Sequence, residues 1–419
     1  MSDSVSSVAP RASTDAPAAP GLQTTPRPRR AFEHPEPRTK RFPSAAATGG
    51  RAGSWTGVVR PVLAAYALSR VVLLVFLADV FGARRALVHL VTVWDGRYYL
   101  QVAAHGYTRS TSGGHPVAAF FPLFPLLVRM AVPLVGGSYP WAGALVALVT
   151  GAAACVAVGA LVQGRCDTSA GIRAGVLTAF APGALFLSIA YPEGLAIALS
   201  AGALAMLDRR RWVAAGVLGA LATASSSLAL PMVAAALAAA LDARRSAAPR
   251  TGAPPCCPRG GARGAVAAPL LTAAGFGAYC VFLWLRTGTP FGWFEAEHSG
   301  WGGHRFDLLA PLHWAATWSD VTVIEVLSVA AAVAGLLLMR RARVPLAWWA
   351  FTGVLLVSVN FDSAMAMRPR FLLDAFPVIG ALALSVRGKR YRLVLAGSAG
   401  LMVLVTVVYV MVPGFVYQP

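Results

Sequence analysis

Apolar runs recur along most of this chain, at 61–81, 120–136, 141–163, 172–188, 190–207, 212–241, 265–286, 322–339, 344–360, 370–386 and 391–413, separated by short polar turns. About 20 consecutive apolar residues in a helix cross about 30 Å of hydrocarbon, and backbone inside lipid must satisfy its own hydrogen bonds. The pattern predicts an all-α fold, a polytopic transmembrane helical bundle of about 10–12 membrane segments. Residues 1–55 break the pattern: they are rich in Ala, Pro, Ser, Thr and Arg without apolar periodicity, so a disordered basic tail is expected. Residues 56–419 then form the transmembrane domain.

A content of 57% hydrophobic and 13% charged residues excludes a large soluble helical protein, which needs far more polar surface. The net charge of +19 suggests nucleic acid at first sight. The arginines, however, concentrate in the tail and in short turns, which is the signal that orients a membrane protein. The lipid bilayer is therefore an expected partner and nucleic acid is not.

With a basic tail inside, the first span leads outward, so the chain is expected in the cell membrane, multi-pass, with a cytoplasmic N-terminus. The turns at Arg209–Arg211, Arg340–Arg343 and Arg387–Arg392 and a loop at about 242–264 fall inside; loops at about 83–119, 287–321 and 361–370 fall outside. The alternation fails once. Two crossings between Asp95 and Arg165 would put the 164–173 loop outside and oppose the arginines at 209–211. Either the segment from Phe120 to Val135 re-enters without crossing, or 212–241 is one long helix.

The candidate chemistry lies in the outer loops. Asp95 stands between Trp94 and Gly96, just beyond the first span, with Tyr98, Tyr99, His105 and Tyr107 following. A carboxylate among aromatic rings at the membrane boundary suits a hydroxylated substrate: rings pack on a sugar face and the acid takes a hydroxyl proton. An interfacial Trp and Tyr belt with an incidental Asp is the plainer alternative. Tyr191, Pro192 and Glu193 interrupt apolar sequence, which places a carboxylate at a helix start or at a substrate contact. Arg368 and Arg370 flank Pro369 at an outer boundary, against the orientation bias, and pairing with a donor phosphate or with lipid phosphate gives a reason. Arg70 sits near mid-depth in the first span and Asp79 near its outer end, each a structural pair or a functional charge.

The 287–321 loop holds Trp293, Trp301, Trp314 and Trp318 with Glu295, Glu297, His298, His304 and His313, and either covers a site or lies on the membrane. Five cysteines show neither zinc-site spacing nor a disulfide framework. No metal ligand is assigned, no cofactor is certain, and a divalent metal is left open.

The stretches SRVVLL from Ser69, WDGRYYLQVAAHGY from Trp94, AFFPLFPLLVR from Ala119, PGALFLSIAYPEGL from Pro182 and, more loosely, RPRFLLDAFP from Arg368 resemble the PIG-V-type mannosyltransferases. These are polytopic glycosyltransferases of the GT-C architecture, with a catalytic first extracytoplasmic loop. The resemblance implies an inverting hexosyltransferase that moves mannose from a polyprenyl-phosphate donor to a hydroxyl of a glycolipid, glycan or protein acceptor outside the cytoplasm. It implies Asp95 as catalytic base, Trp94, Tyr98, His105, Tyr107, Tyr191, Glu193 and Arg70 as substrate-binding residues, and Arg368 or Arg370 on the donor phosphate. Tyr98 departs from the histidine of some relatives, and GGHPVA before Phe120 lacks the acid often found there. A transporter or flippase of lipid-linked sugars, or a noncatalytic scaffold of the same fold, is the competing class.

Overall fold

The computed structural model describes residues 56–81, 94–108, 117–247, 264–301, 306–316, 320–362 and 368–411. The expected tail at 1–55 and most of the expected loop at 242–264 lie outside these residues. In chain order the helices are α1 (Thr56–Phe81), α2 (Gly96–His105), α3 (Leu123–Ala131), α4 (Tyr139–Gln163), α5 (Thr168–Ala179), α6 (Glu193–Asp208), α7 (Trp212–Thr223) and α8 (Pro231–Ala247). They continue as α9 (Ala267–Thr287), α10 (Gly292–Trp301), α11 (Ala310–Ala316), α12 (Asp320–Ala342), α13 (Leu346–Asn360), α14 (Pro369–Asp374), α15 (Phe376–Ser385) and α16 (Gly388–Met411). Among the described residues the β structure is an isolated bridge between Phe306 and Asp362.

Among the described residues six stretches, in α1, α4, α8, α9, α12 and α16, are long and apolar enough to cross a membrane, and α3 with the turn after it, α7, α13 and α15 are shorter apolar helices. Large side chains left exposed on them, such as Leu285 on α9, Leu337 on α12 and Leu404 on α16, suit a surface wetted by lipid tails rather than water. Because lipid is as apolar as leucine, packing and polar ties must hold the helices together. Small residues supply the packing: a Cβ on Gly159 of α4 would lie 2.9 Å from Val58 of α1 and 3.0 Å from the backbone oxygen of Gly171 in α5.

Four expected runs are not single helices; one of them, 370–386, is α14 and α15, which meet at Ala375. Run 172–188 stops as a helix at Ala179 and continues through one 3-10 turn at Ala184–Leu187. Pro182 has no N–H to extend the helix, and across the break Arg70 donates to the carbonyls of Ala184 at 2.6 Å and Ala179 at 3.0 Å. Run 212–241 is two helices, α7 and α8, divided at Ser225 and Ser226. There the Ser225 hydroxyl donates to Ala222 O at 2.6 Å, and Ser226 Oγ accepts the N–H of Leu228 at 3.2 Å. Run 120–136 is α3 followed by a 3-10 turn at Val132–Val135.

Helix α1 runs antiparallel to α4, for Val58 meets Gly159 while Tyr66 meets Gly151. The chain between them, α2 and α3 included, therefore returns to the end of the bundle it left. This arrangement, with 212–241 as two helices, fits the expectation that the Phe120 to Val135 segment re-enters without crossing. The sequence left the two alternatives open because hydropathy reports burial in apolar surroundings but not the direction of the chain.

Candidate functional site

Asp95 occupies the N-cap position of α2, with backbone dihedrals of −69° and −15°, and its side chain makes no cap hydrogen bond. Its carbonyl accepts the N–H groups of Tyr98 at 2.9 Å and Tyr99 at 3.2 Å, which starts the helix. The carboxylate thus lies at the positive end of α2, where an anion is favoured. Trp94 just before it has φ of +50°, the left-handed region that costs an indole-bearing residue about 1–3 kcal/mol. Packing holds it there: the indole stacks on Phe186 at 6.0 Å and meets Tyr409 edge-on at 5.7 Å.

Tyr191, 1% exposed, reaches from the break before α6 and accepts the backbone N–H of Asp95 at 2.9 Å. Two residues on, Glu193 opens α6 and is 3% exposed. Gly194 seats it: a Cβ there would lie 2.7 Å from the backbone nitrogen of Gly151, so only glycine lets α6 approach α4 this closely. From the other side Arg370, in the first turn of α14, packs over Phe371 at 4.6 Å and Phe186 at 5.7 Å. Gly183 fixes that approach, since a Cβ would lie 2.5 Å from Pro369 O and 2.9 Å from Arg370 Cα.

Four residues after Arg370, on the same helical face, stands Asp374, 3% exposed. Glu193 lies within electrostatic reach of Arg370 and Asp95. Asp374 lies within reach of Glu193 and Arg370. Glu193 Oε2, Asp374 Oδ2 and Arg370 Nε are buried with no hydrogen-bond partner. Arg368, 6% exposed, stands at the head of α14 beside Tyr409, Arg370 and Glu325.

The aromatic segment 117–121 forms one flank. Tyr98 stacks on Phe120 at 5.1 Å and Tyr99 meets it edge-on at 4.9 Å. Its carbonyls are held in turn: Tyr107 donates to Phe120 O at 2.7 Å, Tyr279 to Ala118 O at 2.8 Å, and Trp293 Nε1 to Ala119 O at 3.3 Å. Trp293 belongs to α10, so part of the expected 287–321 loop does cover this flank. Trp314 and Trp318 lie where no side chain is described, and His304 lies outside the described residues.

Of the residues expected from sequence, the structure brings together Trp94, Asp95, Tyr191, Glu193, Arg368 and Arg370. Tyr98 and Tyr107 stand on the aromatic flank. His105 is exposed in the last turn of α2. Arg70 is buried in the bundle, bonded to Ser69, Ser188 and the carbonyls of Ala179 and Ala184, with its guanidinium 4.8 Å over the Tyr66 ring. All three of its nitrogens are engaged, two of them in holding the break between α5 and α6. Sequence reasoning gave no role to Asp374, Phe186 or Tyr409, although Asp374 and Phe186 lie within the quoted stretches; the four-residue spacing from Arg370 was a further signal for Asp374.

An apolar cavity of about 450 Å³ opens between α1 and α4, walled by Leu73, Leu74, Leu77, Leu145, Leu148 and Leu185. Leu77 and Leu185 belong to the same buried cluster as Phe186 and Tyr191, against which Trp94 packs. Among the described residues no three His, Cys, Asp or Glu side chains are arranged to hold a metal ion.

No curated protein matches the chain. Among solved structures, the Archaeoglobus fulgidus oligosaccharyltransferase, tethered through a disulfide to an acceptor peptide containing the NVT sequon, aligns with a TM-score of 0.38 and 14% identity, over 77% of this chain and 50% of that one. This chain spans about half the length of that structure. The family model that matches is Mannosyltransferase (PIG-V), over residues 55–243. Arg368, Arg370 and Asp374 fall beyond the matched residues. Across the matched part, which carries Asp95, Tyr191 and Glu193, the chain is similar to the PIG-V mannosyltransferases.

Proposed function

We propose that this protein is a membrane glycosyltransferase that moves mannose from a polyprenyl-phosphate donor to an acceptor hydroxyl on the extracytoplasmic face. The observation that carries this reading is the Asp95 turn: a carboxylate at the start of α2, its backbone held by Tyr191, next to the packed indole of Trp94 and within electrostatic reach of a buried Arg370. It sits within a segment that matches a mannosyltransferase family.

In this reading the acceptor hydroxyl attacks the anomeric carbon while Asp95 takes its proton. The bond from that carbon to the phosphate oxygen breaks, and polyprenyl phosphate leaves with the electron pair. Arg370, with Arg368 behind it, stabilises the leaving charge where water is excluded. A single displacement inverts the anomeric centre. The donor arrives laterally, and the cavity between α1 and α4 suits a hydrocarbon chain close to the reacting headgroup.

The test is transfer of radiolabelled mannose from polyprenyl-phosphate-mannose in membranes carrying the wild type or Asp95→Asn. Label in lipid or protein with the wild type and a fall of about 10²-fold or more in the variant supports the reading. Equal transfer by both removes Asp95 from the chemistry. Facilitated movement of the intact donor across vesicles without transfer favours a flippase.

A further inference from the structure

Asp374 lies in the RPRFLLDAFP stretch but beyond the family match, and no role was assigned to it from sequence; it is buried within electrostatic reach of Glu193 and Arg370. Glu193 and Asp374 come from different helices, and each is 3% exposed. Neither can draw back: Gly194 fixes the start of α6 against the backbone of Gly151, and Gly183 fixes α14 against the break before α6. Each carboxylate has one buried oxygen without a hydrogen-bond partner.

Among the described residues, Arg370 is the close cation for this pair. Arg370 faces it from α14, Asp95 and Tyr99 from α2, and Tyr191 from the segment before α6. Arg368, Glu325 of α12 and Tyr409 of α16 stand behind Arg370. Helices α4 and α7, which also pack on α6, carry no carboxylate or cation. One guanidinium among Asp95, Glu193 and Asp374 leaves two negative charges in excess when all ionise. Closely placed buried carboxylates resolve such an excess by binding a proton.

We infer that Asp374 and Glu193 form a proton-holding pair, and that anchoring the donor phosphate on Arg370 draws one proton into it. This rests on the proposed reading of Arg370 as a donor-phosphate residue. The phosphate competes with the carboxylates for the guanidinium, and the carboxylates that lose that cation take up a proton instead. Donor affinity therefore falls as pH rises through the range in which the free pair releases its proton. At full coupling the fall is about tenfold per pH unit. Asp374 is in this sense a positioning residue: it acts through Arg370 rather than on the sugar.

The experiment is calorimetric titration of the purified full chain with a short-chain polyprenyl-phosphate-mannose, in buffers of different ionisation enthalpy at one pH. The donor phosphodiester keeps a single charge across this range, so any proton taken up belongs to the protein. Uptake of about one proton per donor by the wild type, lost together with the pH dependence of Kd in Asp374→Asn, is the expected result. Glu193→Gln serves as the second variant, and a variant is read only where its melting curve shows a folded protein. Donor binding without proton uptake by the wild type overturns the pair while leaving the proposed function standing. Uptake that persists in both folded variants also overturns it. Failure of the wild type to bind the donor overturns the proposed function, and this inference with it.

Discussion

The Tyr191 hydroxyl accepts the backbone N–H of Asp95 at 2.9 Å, joining the break before α6 to the turn that carries the proposed base. Residues 96 positions apart are thereby set by one bond. Tyr191→Phe keeps the ring, its edge-on contact with Phe186 at 5.4 Å included, and removes only the acceptor. The expected outcome is a loss of about 1 kcal/mol in stability, read by melting in detergent, because a partly buried N–H loses its partner. Turnover should fall by about tenfold with little change in KM, because the base is displaced while the substrate contacts stay. A rise in KM with turnover unchanged would instead place Tyr191 on the substrate.

Gly183 offers a sharper geometric test. A methyl group there would press on Pro369 O and Arg370 Cα, both backbone atoms, so α14 must move as a unit. Gly183→Ala should destabilise by about 1–3 kcal/mol and lower transfer activity, because Arg370 shifts relative to Asp95. Gly353 in α13 is the control, since a Cβ there meets nothing within 4 Å. Gly353→Ala should be neutral or stabilising by up to about 1 kcal/mol, with activity unchanged. Melting curves and initial rates of the two variants, measured side by side, decide it.

The helical membrane fold could be read from hydropathy alone, because about 20 apolar residues admit few other outcomes. The turn around Asp95 was also legible: a carboxylate between Trp94 and Gly96 at a span boundary is unusual by local chemistry. Asp374 was not, because its significance comes from Glu193, 181 residues away by number, and from the glycine contacts that bring α6 and α14 together. Arg70 stayed open for a related reason. A charge at mid-depth signals a polar partner, but sequence cannot say whether that partner is a substrate or the carbonyls of a broken helix.

Asp167, in the turn between α4 and α5, provides a prediction away from the site. Its carboxylate caps α5 by accepting the N–H of Ala170 at 2.7 Å. That hydrogen bond holds it below the usual carboxylate range, an effect that its partial burial opposes. A folded-state value below the unfolded one means the cap stabilises above the unfolded value and is lost as pH falls through the folded one. Asp167→Ala should therefore cost about 0.5–2 kcal/mol at neutral pH and almost nothing in acid below the folded value. Melting curves of both proteins recorded from neutral to acid pH should converge; a constant gap would point to a cause other than the carboxylate.

Arg70 separates a structural charge from a substrate-binding one. Its bonds to Ala179 O, Ala184 O and Ser188 close the gap that the α5 to α6 break opens, and Tyr66, stacked beneath it, donates to Leu187 O at 3.0 Å. Arg70→Lys keeps the charge but presents a single nitrogen, which cannot span carbonyls five residues apart. At least one buried carbonyl is then left without a donor, at a cost of about 1–3 kcal/mol, and Arg70→Ala should cost more. The expected signature is a lower melting temperature and poorer yield for both variants, while the folded Arg70→Lys protein keeps a KM close to that of the wild type. A stable Arg70→Lys protein with KM raised by about tenfold or more would return Arg70 to the substrate.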